Sequence, residues 1–172
     1  MRFFHPKKKF YAWIQRVMKK HPKAVLVDCG AGDGDLVAEL LQLGLPCIGI
    51  DPQWGGLPRG KGMEGVELAQ KMICQNAEES TFVTKMPAVL LCCRPCHSAF
   101  PARINRARHK DSVFYYIGFK KNLIWDLAGA PVKLLVSGVG KEGECVWAVG
   151  AADADRPCVS PEMQELLKLV GI

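Results

Sequence analysis

Val25-Leu26-Val27-Asp28-Cys29-Gly30-Ala31-Gly32-Asp33-Gly34 runs from an apolar segment into three glycines at alternate positions. The apolar run 24–27 reads as a buried strand ending at Asp28. Alternate glycines let the backbone turn sharply and come close to a ligand. Leu36, Val37, Leu40 and Leu41 then share one face of a helix, with Asp33 or Asp35 expected as its cap and Gly44 as its stop. A strand, a glycine turn and a helix in that order accept a nucleotide at the carboxyl edge of a parallel sheet.

Working outward, Cys47-Ile48-Gly49-Ile50 is the next strand and ends at Asp51. An acid about 20 residues beyond such a loop can take the two ribose hydroxyls. The rival ligand is a dinucleotide, whose fingerprint is G-x-G-x-x-G/A. Here the last position is Asp35, and Gly30, Gly32 and Gly34 follow G-x-G-x-G instead. Asp33 and Asp35 at the helix mouth would repel a pyrophosphate that needs bare N–H groups and a positive dipole. A zwitterionic ligand with a cationic centre tolerates them.

Before the loop, Phe10, Trp13, Ile14, Val17 and Met18 recur at helical spacing, so 8–20 reads as an amphipathic helix closed by His21-Pro22. After Asp51, residues 52–65 are rich in Gly and Pro and read as an irregular loop, with a short helix over 66–70. Strands are predicted at 72–74, 88–93 and 113–117, with a basic helix over 98–110. Two more, 132–136 and 145–149, are joined by a glycine-rich segment too short for a crossover helix, so they must be antiparallel. Ser160-Pro161-Glu162 caps a last helix through Leu166, Leu167 and Val170. No repeat or linker divides the chain, so residues 1–172 are expected to form one domain, with 1–23 a basic N-terminal helix leading into the sheet.

Residues 25–34 resemble motif I of the class I S-adenosylmethionine-dependent methyltransferases, and the likeness extends over about 24–150, with the late hairpin where that family has it. The resemblance implies an α/β, three-layer, Rossmann-like fold with a seven-stranded, mostly parallel sheet and a C-terminal antiparallel hairpin. It also implies S-adenosylmethionine as the cofactor. Asp28 and the backbone of Gly30, Ala31, Gly32 and Gly34 would hold the methionine moiety, and Asp51 the ribose hydroxyls. Pro52 and Gln53 would lie against the adenine, with Asn76 and Ala77 at its edge. The plainer reading makes Asp28 and Asp51 helix or turn caps, and Asn76 a strand-end turn residue.

In that family the segment after the fourth strand lies beside the transferable methyl. Here it is Cys93-Arg94-Pro95-Cys96-His97. A c-type haem, a thioredoxin-like pair and a zinc site each lack a required companion in this sequence, and no metal is expected. Pro95-Cys96 resembles the Pro-Cys of pyrimidine-C5 methyltransferases, whose thiolate adds to the base. Those enzymes also need a carboxylate or second cysteine after strand five, and Gly118-Phe119-Lys120-Lys121-Asn122 offers neither. The Asn/Asp-Pro-Pro-Tyr/Phe loop of amino methyltransferases is absent as well. Cys96 as nucleophile, His97 as general base and Arg94 as an anchor for an acidic acceptor are the catalytic candidates. The plainer alternative has His97 capping the next helix and Arg94 facing solvent.

The expected function is methyl transfer to an unidentified acceptor by in-line displacement. A non-catalytic cofactor-binding sensor or partner subunit is the alternative, as is another S-adenosylmethionine-using enzyme on the same scaffold. The eight cysteines sit mostly in apolar runs, where a cysteine acts as a small hydrophobe, so a reducing, cytoplasmic setting is expected. The longest apolar runs are strand-sized, which argues against a membrane span, and no apolar signal segment follows the basic N-terminus. The formal charge of +6 is uneven. Residues 1–27 hold no acid, and Arg103, Arg106, Arg108, His109 and Lys110 form a second cluster. Such patches attract nucleic acid or another polyanion, unless they are simply solvated helix faces.

Overall fold

A computed structural model describes residues 4–54, 65–95 and 99–150. The strands are β1 (Leu26–Cys29), β2 (Cys47–Ile50), β3 (Met72–Ile73), β4 (Val89–Cys93), β5 (Val113–Gly118), β6 (Val132–Val136) and β7 (Cys145–Val149). They form one sheet in the order β3-β2-β1-β4-β5-β7-β6. Parallel pairing runs from β3 through β5, and β7 enters antiparallel between β5 and β6. The seven-stranded sheet with its late hairpin is therefore as the sequence predicts.

The helices are α1 (Lys8–Lys20), α2 (Asp35–Gln42), α3 (Gly65–Ala69), α4 (Thr81–Thr84), α5 (Phe100–Ala107) and α6 (Leu123–Leu127). One face of the sheet packs Leu26, Val89, Leu91 and Ile117 against α1, α2 and Leu68 of α3. The other packs Val27, Leu90, Phe114 and Tyr116 against Val83, Ile104, Leu123 and Leu127 of α4, α5 and α6. These are three layers, and neighbouring residues of one strand feed opposite cores because the side-chain period is two.

Helix α1 buries Phe10, Trp13, Ile14, Val17 and Met18. Each buried apolar side chain of that size contributes roughly 1.5–3 kcal/mol, so this stripe holds the helix on the sheet. Trp13 meets Tyr115 of β5 edge-on at 5.0 Å. The Tyr11 hydroxyl donates to Glu39 of α2, which fixes the two helices side by side.

Two expectations need correction, and two short helices are additional. Strand β1 starts at Leu26 and carries Asp28 and Cys29 inside it, because both residues are buried and pair with β2. The cap of α2 is neither Asp33 nor Asp35. Gly34 takes that position with φ +80°, and no side chain caps the helix. The short helices α4 and α6 have too few residues to display a helical period, and neither is predicted. The predicted C-terminal helix lies outside the described residues.

Candidate cofactor site and the loop after strand four

Parallel strands send their following loops to one edge, so the glycine loop, Asp51, Asn76 and Arg94 all emerge on the same side of the sheet. Because β7 runs the other way, Glu142 and Glu144, which precede it, come to that edge too.

The glycine loop is tied down by its neighbour strand. The Gly30 and Ala31 amides donate to the Ile50 carbonyl at 2.8 and 3.2 Å, and Gly34 N–H donates to Ala31 at 3.0 Å. Gly32 N–H donates to Asp51 Oδ2 at 2.9 Å, and Gln53 N–H donates to Oδ1 at 2.8 Å. Gly32 has φ +56°, and no atom would lie within 4 Å of a side-chain carbon placed there. The middle of the loop is thus open while its ends are packed: Gly30 lies against Phe100, and Gly34 against Met72 and Leu68. A second close approach is at Gly49, where a Cβ would run into Met72, Ala31 at 2.8 Å and Val37 at 2.9 Å. That glycine lets β2 press against the loop.

Asp28 is 2% exposed, within β1 just before the loop. Asp51 is half-buried, and Pro52 and Gln53 are exposed beside it. Asn76 is exposed, and its side-chain amide donates to Glu79 at 3.1 Å, as a turn residue would. Ala77 is fully buried, so it can offer a ligand only its backbone. With Asp28, Asp33, Asp35 and Asp51 about the loop, the site is acidic and suits a cationic centre better than a pyrophosphate. The open Gly32 backbone, with a carboxylate beside it, fits the methionine and ribose parts of S-adenosylmethionine.

Arg94 follows β4 in the left-handed region, with φ +46°, and its N–H donates to Ile117 at 2.8 Å. Its guanidinium lies 3.0 Å from Glu142 and 3.4 Å from Glu144, and 5.2 Å over the Phe119 ring. Glu144 is 1% exposed, and its Oε2 also accepts the Glu142 N–H at 3.0 Å. So Arg94 clasps the β6–β7 connection and does not merely face solvent. Cys96 and His97 lie outside the described residues. The thiol of Cys93 is pushed well above its ordinary value, by burial first and by the Asp28 carboxylate second, so it stays protonated.

Sequence reasoning missed three contributors, Phe100, Gly49 and Glu144, and, in the core, the buried pair in which the Tyr116 hydroxyl donates to Asp126. Gly49 alone carried a signal, since a glycine inside a strand often marks a close backbone approach. The six described cysteines, Cys29, Cys47, Cys74, Cys92, Cys93 and Cys145, are free thiols. Among the described residues no helix is long and apolar enough to cross a membrane.

No family model matches the sequence, and no curated protein matches it. The structure, by contrast, has many neighbours. It is similar to magnesium protoporphyrin IX methyltransferase from Synechocystis PCC 6803 with bound SAM, at a TM-score of 0.51 and 13% identity, over 83% of this chain and 79% of that one. A structure described as the conversion of a disulfide bond into a thioacetal group during echinomycin biosynthesis aligns at 0.53 and 12% identity, over 96% of this chain and 88% of that one. The Burkholderia thailandensis 1,6-didemethyltoxoflavin-N1-methyltransferase aligns at 0.48 and 17% identity, over 78% and 75%. With the strand order and the two neighbours at 0.51 and 0.53 in agreement, the chain has the Rossmann-like methyltransferase fold.

Proposed function

We propose that this protein binds S-adenosylmethionine on the loop from Asp28 to Gly34 and transfers its methyl group to an acceptor. The observation that carries the reading is the open Gly32 backbone, held by Asp51 at the carboxyl edge of this sheet. Asp51 has lone pairs to spare beyond the two amides it accepts, and these would take the ribose hydroxyls. Asp28 and the backbone from Gly30 to Gly34 would hold the methionine end. Pro52 and Gln53 would lie along the adenine, with Asn76 and Ala77 at its edge. The cofactor brings an already activated sulfonium methyl, so the chain's residues mainly orient the partners and exclude water.

Arg94, Cys96 and His97 remain the residues assigned to the acceptor side. A second reading, a cofactor-binding sensor, is favoured by one observation: the Arg94 guanidinium is already engaged by Glu142 and Glu144. Free thiols at all six described cysteines suit a reducing compartment, and we infer a cytoplasmic protein whose basic surfaces draw it to an anionic partner.

Calorimetry with S-adenosylmethionine and with its demethylated product tests the binding claim; no heat from either at sub-millimolar concentration would sink it. Tritium transfer from labelled cofactor into a cell extract, sorted into RNA, DNA, protein and small molecules, tests transfer. Binding without transfer would favour the sensor.

A further inference from the structure

The two basic clusters in the sequence have different fates in the fold. On α5, Arg103 pairs with Glu78 at 2.6 Å. Arg108 donates to the Ser112 and Val149 carbonyls and to Asn105 at 3.0 Å. His109 sits 3.8 Å from Asp111. Three of that cluster's five members are thus engaged within the chain, while Arg106 and Lys110 are exposed.

Helix α1 is the opposite case. Its exposed positions are Lys8, Lys9, Ala12, Gln15, Arg16, Lys19 and Lys20, so five of seven are cations and the other two are uncharged. Lys7 and Lys23 extend the row at either end, both exposed. Lys9 donates to the Ser137 carbonyl, which uses a donor but no charge. Among the described residues no carboxylate lies within ion-pair distance of any of these side chains, and Glu39 on the adjoining α2 is engaged by Tyr11.

The row also has a direction. Lys7 N–H donates to Val139 at 2.7 Å, and Lys141 N–H donates to His5 at 3.0 Å, so α1 begins at the β6–β7 connection on the cofactor edge. It then crosses the outside of the layer to the opposite edge, about 20 Å away at a rise of about 1.5 Å per residue. The cations fall in two groups, Lys8 with Lys9 and Arg16 with Lys19 and Lys20, about 10 Å apart along the axis at ~1.5 Å per residue. An amphipathic helix lies in a lipid surface by burying exposed apolar side chains there. Phe10, Trp13, Ile14, Val17 and Met18 are all buried against the sheet.

We propose that the outer face of α1 is a rail for the phosphate backbone of a polynucleotide, which it leads to the cofactor edge. This deepens the reading above and rests on it only for what waits at that edge.

The test is fluorescence polarisation of a labelled 20-nucleotide RNA, the matching single-stranded DNA and its duplex, over a salt series. The comparison is between the full chain and a triple variant, Arg16→Gln, Lys19→Gln and Lys20→Gln. All three side chains are exposed, and an unchanged circular dichroism spectrum checks the fold. The expected result is binding by the wild type, with a roughly 10- to 100-fold loss in the triple variant and a log–log salt slope shallower by about 2 to 3 units. Arg106→Gln on α5 should leave binding unchanged. The RNA and DNA arms say which polymer is preferred. Equal binding by wild type and triple variant would overturn the rail, as would capture by phosphatidylserine vesicles without polynucleotide binding. Cofactor calorimetry separates the two readings. No polynucleotide binding with intact cofactor binding removes the rail alone; the reverse removes the methyltransferase reading alone.

Discussion

Asp51 Oδ2 accepts the Gly32 amide at 2.9 Å, so the acid that ends β2 also sets the shape of the loop that follows β1. One carboxylate thereby serves two parts of the proposed cofactor site. Asp51→Ala removes this bond, the bond from Gln53 and the proposed acceptor for the ribose. A hydrogen bond to a charged group contributes about 1.5–3 kcal/mol, so affinity for S-adenosylmethionine should fall roughly 10- to 100-fold by calorimetry. An unchanged dissociation constant would mean that the ribose is held elsewhere.

Gly49 and Gly32 should separate stability from binding. At Gly49 an added methyl meets Met72, Ala31 and Val37 inside the packed core, and overpacking of that kind costs about 1–3 kcal/mol. Gly49→Ala should therefore lower Tm by roughly 2–12 °C in a chain of this size. Gly32→Ala meets no atom, and its penalty is the positive φ alone, about 1–2 kcal/mol. It should move Tm less but obstruct the cofactor more. Scanning calorimetry and cofactor titration on the same two variants check the pair.

The contrast also explains what the sequence made legible. Strands β1, β2, β4 and β5 announce themselves because buried parallel strands are continuous apolar runs, and the β6–β7 pairing follows from a connection too short to cross over. The geometry of the glycine loop was readable for the same local reason: Gly30, Gly32, Gly34 and Asp51 lie in turns whose form is written in a few adjacent residues. The acceptor side was not. Arg94 meets Glu144 across 50 positions of sequence, and nothing near either residue names the other. The tyrosine–aspartate pair of β5 and α6 was equally silent, since α6 is five residues long.

That clasp is itself testable. Glu144 is buried and Glu142 is 57% exposed, yet both reach the same guanidinium. Glu142→Gln removes a solvent-screened pair, which is worth about 0–1 kcal/mol. Glu144→Gln removes the enclosed charge facing Arg94 and should cost more, on the order of 1–3 kcal/mol given that Arg94 keeps some access to water. Urea unfolding of the two variants should rank them in that order; the reverse ranking would show that Glu142 carries the clasp.

Buried Tyr116 donates its hydroxyl to Asp126, and burial, then that hydrogen bond, push its pKa well above the ordinary value of about 10. Removing the hydroxyl in Tyr116→Phe takes a donor from a fully buried carboxylate, at a cost of about 1–3 kcal/mol at neutral pH. The variant should also lose less stability than the wild type above pH 10, where the unfolded tyrosine would otherwise ionise. Urea unfolding at pH 7.5 and at pH 10.5 measures both effects. Equal pH dependence in the two proteins would show that Tyr116 ionises as readily folded as unfolded.

Alkali should weaken the fold well before that, through its thiols. Burial, and secondarily neighbouring negative charge led by Asp28 or Cys29, raises the pKa of Cys29, Cys47, Cys92 and Cys93 well above the ordinary value. Below pH ~7.5 folded and unfolded chains both hold these four protons, so their contribution to stability is fully present and flat. As pH rises further the unfolded thiols ionise while the folded ones do not, and each removes about 1.4 kcal/mol per pH unit. The four act in the same direction, so stability falls as pH rises above the ordinary thiol range. Urea midpoints measured under reductant from pH 7 to 10 should stay level and then drop steeply. In Cys29→Ala the drop should be shallower by about a quarter, because one of the four titrating groups is gone. A level curve through pH 10 would mean that these thiols reach water and ionise in the folded state.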